Sequence, residues 1–309
     1  MRRAVGVVGA IWLFSAACLL GLRWVDGGVL VVALQCGLPM VGVSLVLLLA
    51  VAAIARRWIL ALATAALLVP MVVLAWPWWL QPDLEPPGEG DIVVLASNLL
   101  FGNGDIGMVD QQVRGLDVDA LVLLEITPQA LQRVEASGIP DALPHRSGAA
   151  RADAGGTMVF TAAPHESVSD APNLLFDQVV VQVQPQGEET EPWLLFGAHP
   201  VPPTLPQWSS DLAALHEWEQ AQPPSARIVM AGDFNASSGH PAFRRLTEDL
   251  TDARRRTAPG WVRTWPRESV IPAFVQLDHV LVRGTEVIDA GQVRIPGSDH
   301  DAVWARLSP

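Results

Sequence analysis

The chain has 309 residues, half of them hydrophobic, a formal net charge of −12 and only two cysteines. Five arginines and one acid precede Gln81, so the remainder carries 31 acids against 15 arginines, a balance of −16. A protein that coats nucleic acid irrespective of sequence presents a basic face, so this balance argues against that role. Lysine and tyrosine are absent, which removes two common catalytic side chains.

The apolar excess lies before residue 81. Ala4 to Leu22 is free of charge, and at about 1.5 Å per residue it covers about 28 Å, close to the hydrocarbon thickness of a bilayer. Gly28 to Ala55 and Trp58 to Leu80 are equally uncharged. Residues 1–80 are therefore predicted to form a three-span anchor of transmembrane helices, in contact with the lipid bilayer over residues 4–80. Arg2 and Arg3 precede the first span and Arg56 and Arg57 separate the second from the third, whereas the other loop holds Arg23 offset by Asp26. The positive-inside rule then puts the N-terminus in the cytoplasm. Three crossings place everything after Leu80 outside it, a multi-pass protein of the cell membrane. Trp76, Trp78 and Trp79 fall where an interfacial belt is expected. A basic start followed by SAAC is the rival reading, a cleavable signal peptide. Cys18 and Cys36 both lie in predicted spans, so the region beyond has no internal disulfide.

QPDLEPPGEG, residues 81–90, reads as an extended Pro/Gly/acidic linker. Residues 91–309 form one domain. Short Val/Leu/Ile runs at 91–97, 119–125, 156–162, 176–184, 193–198, 227–232 and 278–284 predict strands. Val179, Val181 and Val183 against Gln178, Gln182 and Gln184 predict a half-exposed, edge-like one. Helices are expected at 106–115, 128–137, 207–220 and 241–249. This alternation implies an α/β sandwich. The acidic turn 186–192 reads as a solvated hairpin loop.

Polar residues close the apolar runs: Asn98, Glu125, His199, Asp233 and Asn235, then Asp278, Asp299 and His300 nearer the C-terminus. Singly, each is more often a turn former or a cap. Jointly they suit phosphate ester hydrolysis. Glu125 and Asp299 are hard oxygen ligands of the kind Mg²⁺ prefers, with Asn98 offering an amide oxygen or orienting a bound water. A histidine held by a carboxylate serves as acid or base near neutral pH. Asn235 can hold a phosphoryl oxygen where charge builds up.

SNLL, LLEIT, AHPVPP, AGDFN, LDHVLV and GSDH, with TWP at 264–266, occur in the order and approximate spacing of the endonuclease/exonuclease/phosphatase superfamily, which this chain resembles over residues 91–309. The resemblance implies a DNase I-like α/β sandwich, two packed mixed sheets flanked by helices, and a divalent cofactor, Mg²⁺ first with Mn²⁺ or Ca²⁺ as alternatives. It implies that Asp233 aligns or deprotonates the attacking water, that Asn235 holds the phosphate, and that Glu125 is the principal metal ligand with Asn98 and Asp299 near it. His300 resembles the essential histidine, Asp278 the carboxylate that orients it, and His199 an acid for the leaving group. The chain departs from the pattern in three places. It has no phosphate-contacting tyrosine; Ala162 and Ala163 replace the usual Ser-Arg, leaving Arg146 or Arg151 as substitutes; and Asp301 adds an anion after SDH. His145, His165, His216, His240 and His279 carry no motif.

The expected function is a membrane-anchored, metal-dependent phosphoesterase that hydrolyses phosphodiesters of nucleic acid or of lipid headgroups outside the cytoplasm. The alternative is a non-catalytic membrane receptor or scaffold that uses the fold to bind a ligand. Nothing in the sequence calls for a protein partner.

Overall fold

A computed structural model gives the structure of the chain and describes residues 2–80, 84–88, 90–184, 191–257 and 260–308. The linker is thus covered in part, and most of the acidic turn at 186–192 lies outside the described residues. The chain divides into two compact units. One is residues 1–80 with the short segments 238–241 and 259–261; the other is the rest.

In the first unit α1 (Arg2–Leu22), α2 (Val29–Cys36), α3 (Leu38–Ile54) and α4 (Trp58–Ala75) are followed by a 3-10 turn, Trp76–Trp79. Residues 3–22 and α4 are each long and apolar enough to cross a membrane. The expected second span is not one straight helix, because α2 and α3 meet at 52°. Gly37 caps α2, and Pro39, in the first turn of α3, has no N–H to continue the hydrogen-bond ladder across the break. The bent pair adds a third crossing if it acts as one span. Ala16, Val41 and Leu45 are buried where α1 meets α3, flanked by Trp12 and Leu48.

The second unit contains β1 (Ile92–Asn98), α5 (Ile106–Gly115), β2 (Ala120–Leu124), α6 (Pro128–Glu135), α7 (Ile139–Ala142), β3 (His145–Ala149), β4 (Thr157–Thr161), β5 (His165–Ser167) and β6 (Val179–Val183). It continues with β7 (Trp193–Ala198), α8 (Trp208–Ala221), β8 (Ile228–Asp233), α9 (Pro241–Leu246), β9 (Thr251–Asp252), α10 (Ala253–Thr257), β10 (Asp278–Arg283), β11 (Val287–Arg294) and β12 (Asp301–Leu307). They form two six-stranded sheets, ordered β11-β12-β1-β2-β4-β3 and β5-β6-β7-β8-β10-β9. Both are mixed: β1–β2 and β7–β8 are parallel, the other pairs antiparallel.

The sheets pack face to face. Val94, Ala96, Val122 and Val159 from one meet Val181, Leu195, Val229 and Val280 from the other in a single core. The alternate residues Val93, Leu95, Leu121 and Leu123 point outward onto Ile106, Val109 and Val113 of α5 and Ala130 and Val134 of α6. Strands buried on both faces read as unbroken apolar runs, which is why β1 and β2 stand out in the sequence. β6 corrects the expectation of an edge: it lies between β5 and β7, and Val180 on its other face is buried as well. β11 and β12 were not expected. A bulge between Val287 and Asp289 and the interruption at Gly291 break the alternation of β11, and β12 begins directly after the SDH motif.

Registry brings six strand ends to one edge. Asn98 closes β1 opposite Leu124, and Glu125 follows it. Ala198 closes β7 opposite Gly232, and His199 follows. Asp233, the last residue of β8, pairs with Asp278, the first of β10, and His300 immediately precedes β12.

Candidate active site

The polar strand ends form one hydrogen-bonded cluster spanning both sheets. The Asn98 amide donates to Glu125 Oε1 at 3.1 Å and to Asp233 Oδ2 at 3.1 Å, while its own oxygen accepts the Leu100 N–H at 2.9 Å. That backbone bond fixes which end of the amide is nitrogen, so Asn98 ties the two carboxylates together through its NH₂. The second Glu125 oxygen accepts the Phe101 N–H at 2.8 Å.

Backbone strain accompanies these contacts. Leu100, Phe101, Glu125 and Asn235 all have positive φ, between 46° and 53°. Left-handed conformations of side-chain-bearing residues cost about 1–2 kcal/mol each and persist where the surroundings over-determine them. Here the N–H bonds to Asn98 and Glu125 do so at Leu100 and Phe101. Downstream, the Thr127 hydroxyl accepts the Ala130 N–H at 3.2 Å and Pro128 opens α6, which anchors the far side of the Glu125 turn.

His300 lies at the centre. Its Nδ1 donates to Asp278 Oδ2 at 2.9 Å, and Nε2 stands 3.6 Å from Asp233 Oδ2 and 3.8 Å from Asp299 Oδ1. Burial alone pushes the imidazole pKa down, but Asp278, Asp233 and Asp299 outweigh it and carry it up to about 10. At neutral pH His300 is a buried cation among carboxylates. Asp233 is displaced upward, chiefly by burial and partly offset by His300. Glu125 also rises through burial, against the hydrogen bonds from Asn98 and Phe101.

Around this centre the lead-in motif positions the acids. The Thr264 hydroxyl accepts the N–H groups of Leu277 and Asp278, and Trp265 Nε1 donates to Asp299 Oδ2 at 3.1 Å. Ser298 donates to the Asn98 carbonyl at 2.7 Å and accepts the His300 N–H, joining the GSDH loop to the end of β1. The Asn235 side-chain amide donates to the Pro200 carbonyl at 3.0 Å, which leaves its second N–H for a ligand; the Asn235 backbone carbonyl accepts Trp208 Nε1.

His199 is 1% exposed, and its ring packs 4.8 Å from that of Phe176. Gln178 grips its backbone from both sides, accepting its N–H at 2.9 Å and donating to its carbonyl at 2.8 Å. Burial pushes its pKa down to about 4, against the pull of Asp233. His199 is thus neutral at neutral pH, and the proton-rich imidazole of the site is His300. The consequence for stability is testable. A folded-state pKa depressed from 6.5 to about 4 contributes stability that is complete above pH 6.5 and is lost as pH falls to about 4. That contribution is about 3 kcal/mol. Urea unfolding of the full chain in detergent is expected to show the wild type losing ground to His199→Gln across this window. Equal losses in both would show that the imidazole is not held neutral.

The remaining candidates lie elsewhere. Arg146 pairs with Glu135, and Arg151 with Asp153 and Asp177, so neither joins the cluster. Asp301 is 3% exposed and is held by Arg267 and Gln292. His279 is structural: it binds Asp252 at 2.7 Å and the Ala236 carbonyl at 3.0 Å, which secures the turn after Asn235. Gln178, Phe176, Trp208 and Ser298 were not anticipated. Gln178 sits on the polar side of a valine-rich strand, where solvation is the ordinary expectation, and only tertiary packing turns it onto His199.

Two groups could hold a cation. Single ligand atoms of Asp233, Asp278 and His300 lie within 4.8 Å of one another, but the His300–Asp278 bond already spends one donor and one acceptor. Glu125 and Asp299 offer hard oxygens, and Asp299 Oδ1 is buried with no hydrogen-bond partner. An orphaned carboxylate oxygen is the environment an oxygen-seeking divalent ion satisfies.

Two mixed sheets, flanked by helices and carrying this cluster on one edge, are the DNase I-like α/β sandwich. The Endonuclease/Exonuclease/phosphatase family profile matches residues 95–300, and the chain belongs to that family. Truncated Caenorhabditis elegans TDP2 superposes with a TM-score of 0.56 at 16% identity, covering 74% of this chain and 100% of that one. D. rerio TDP2, solved with a single-strand DNA product, gives 0.55 at 14%, covering 72% and 100%. A Bacteroides thetaiotaomicron mannosyl-6-phosphatase gives 0.50 at 16%, covering 71% and 100%. No curated protein matches the chain. Family members are hydrolases that act on phosphoester bonds.

Proposed function

We propose that the protein is a membrane-anchored, divalent-metal-dependent phosphodiesterase whose catalytic unit faces away from the cytoplasm. The observation that carries the reading is the Asp278–His300–Asp233 chain, linked through Asn98 to Glu125 at one sheet edge. Asp233, with its raised pKa, is suited to take the proton of an attacking water. His300, as imidazolium, steadies a phosphoryl oxygen and supplies a proton to the departing alcohol, with Asp278 fixing its orientation. His199 and Asn235 offer neutral N–H donors to the phosphate. Glu125 and Asp299 would hold the ion, with Asn98 orienting the site. When bound, a divalent ion such as Mg²⁺ polarises the phosphoryl group and stabilises the leaving oxygen.

A diester is favoured over a monoester on charge. A monoester carries about −1.5 to −2 at neutral pH and a diester a single charge. His300 is the one cation that the described contacts place at the centre, since Arg146 and Arg151 are committed elsewhere. The location rests on the arginine asymmetry and on the bent α2–α3 pair crossing as one span. Protease added to right-side-out membranes should remove the domain, and protection would put it in the cytoplasm.

The test of activity uses the full chain in detergent micelles with bis(p-nitrophenyl) phosphate and p-nitrophenyl phosphate as substrates. Diester hydrolysis that requires Mg²⁺ and stops with EDTA is expected. Metal binding without turnover of either ester would favour a receptor, and preferential monoester turnover would make the protein a phosphatase.

A further inference from the structure

Beyond residue 83 the described residues expose four large apolar side chains: Phe101 (54%), Leu175 (53%), Val270 (101%) and Ile271 (55%). Scattered exposure would be unremarkable, but each of these four lies in a loop that also bonds to or packs against the site. The Phe101 N–H is bonded to Glu125. Leu175 precedes Phe176, whose ring lies against His199. Val270 and Ile271 occupy the loop between Arg267, whose N–H donates to the Asp299 carbonyl, and Phe274, whose ring meets that of Trp265. Three separate loops that contact Glu125, His199 and Asp299 thus each carry an exposed apolar residue.

The Phe101 position is enforced. Leu100 and Phe101 both adopt left-handed backbone, held by bonds to Asn98 and Glu125, with Phe101 exposed. Three arginines near these loops are committed to carboxylates, Arg151 to Asp153 and Asp177, Arg267 to Asp301 and Arg294 to Glu268, while Arg133 is held by the Gly102 carbonyl. With a balance of −16 after residue 80, such a surface repels a polyanion and suits an apolar neighbour. The chain itself carries helices able to cross a bilayer, so a lipid surface is the apolar phase at hand.

We infer that Phe101, Leu175, Val270 and Ile271 form a bilayer-contacting rim through which the site takes a phosphodiester lipid as substrate. This rests on the phosphodiesterase reading and specifies its substrate class. The rim enters the interfacial region and seats the headgroup phosphate at the cluster, while the acyl chains stay in the membrane. Water adds to phosphorus as Asp233 accepts its proton. The ester bond to one alcohol breaks, and that alcohol leaves with the bonding electron pair and a proton from His300. One phosphomonoester and one alcohol result.

The experiment compares the full-length wild type with Val270→Asp/Ile271→Asp, both reconstituted in phosphatidylcholine proteoliposomes containing headgroup-labelled fluorescent phosphatidylethanolamine. Both positions are exposed, so the fold should survive, and soluble bis(p-nitrophenyl) phosphate reports the integrity of the catalytic centre. Release of the labelled headgroup is expected to fall about tenfold or more in the variant, as the loss of two interfacial aliphatic side chains implies, with soluble-diester turnover unchanged. If the wild type cleaves the soluble diester but ignores the lipid, cleaves a single-stranded oligonucleotide faster than the lipid, or releases headgroup at the variant's rate, the rim inference is overturned and the phosphodiesterase reading stands. Wild type inert toward lipid, oligonucleotide and soluble diester alike would overturn both.

Discussion

Glu125→Gln is expected to lower metal-dependent turnover by about 10³-fold while making the folded protein more stable. The activity loss follows from removing the negative charge of the strongest candidate ion ligand; electrostatic groups of this kind contribute about 10²–10³-fold each in kcat, and loss of the ion removes more than one contribution. The gain in stability follows from the direction of the pKa shift. Burial raises the Glu125 pKa in the folded chain, so at neutral pH the ionised carboxylate disfavours folding, and that cost grows as pH rises from the unfolded value through the folded one. Glutamine removes the buried charge and keeps one oxygen for either the Asn98 or the Phe101 donor, so the gain is the charge penalty relieved less the one hydrogen bond given up. Thermal unfolding in EDTA should therefore show the variant melting above the wild type. With Mg²⁺ the order should reverse, because a ligand at 100 times its Kd stabilises the protein that binds it by about 2.7 kcal/mol. If Mg²⁺ raised both melting temperatures equally, Glu125 would not be a ligand, and the ion would belong with Asp233, Asp278 and His300.

Much of this cluster was legible because a strand buried on both faces leaves no ordinary reason to end on a carboxylate. Glu125 and Asp233 each follow an unbroken apolar run and Asn98 follows one closed by Ser97, and parallel or antiparallel registry then does the assembly: Asp233 faces Asp278 because β8 and β10 pair end to end. What was not legible has physical causes. The residues that hold the acids in place (Gln178 on His199, Thr264 under Asp278, Ser298 across to Asn98) are ordinary polar residues whose partners lie from 14 to 200 positions away. No local periodicity encodes such a pairing. The division of labour between the histidines was hidden for a similar reason. His199 and His300 both follow motif-like strand ends, yet one meets Phe176 and a single carboxylate at 4.0 Å while the other meets three. Environment alone makes one neutral and the other cationic. In the membrane unit, charge-free length predicted a span over 28–55, but hydropathy does not register the Gly37–Pro39 break, which is a backbone effect.

His300→Ala is expected to lose about 10²–10⁴-fold in kcat, the range for removal of a positioned acid or base, and here activity and stability should fall together. In the folded chain the His300 pKa is raised from 6.5 to about 10, so its stabilising contribution is complete below pH 6.5 and is lost as pH climbs through about 10. Alanine leaves Asp278 and Asp233, 2% and 1% exposed, without the cation between them. Breaking a buried pair by deleting one partner costs about 3–5 kcal/mol. The melting temperature should drop at neutral pH and recover in part on acidification, as the stranded carboxylates take up protons. His300→Gln, which can still donate to Asp278, separates the two effects: it should restore some stability and no turnover. If His300→Ala kept its melting temperature at neutral pH, the imidazole would not be the cation that balances these acids, and the proton for the leaving alcohol would have to come from another group. His199 would then be the first to examine, through the pH dependence of kcat in the His199→Gln variant. The opposite stability signs predicted for Glu125→Gln and His300→Ala follow from one distribution of charge: an acidic pocket kept partly unsatisfied where an ion is to sit, and compensated at the single point where the phosphate is to be held.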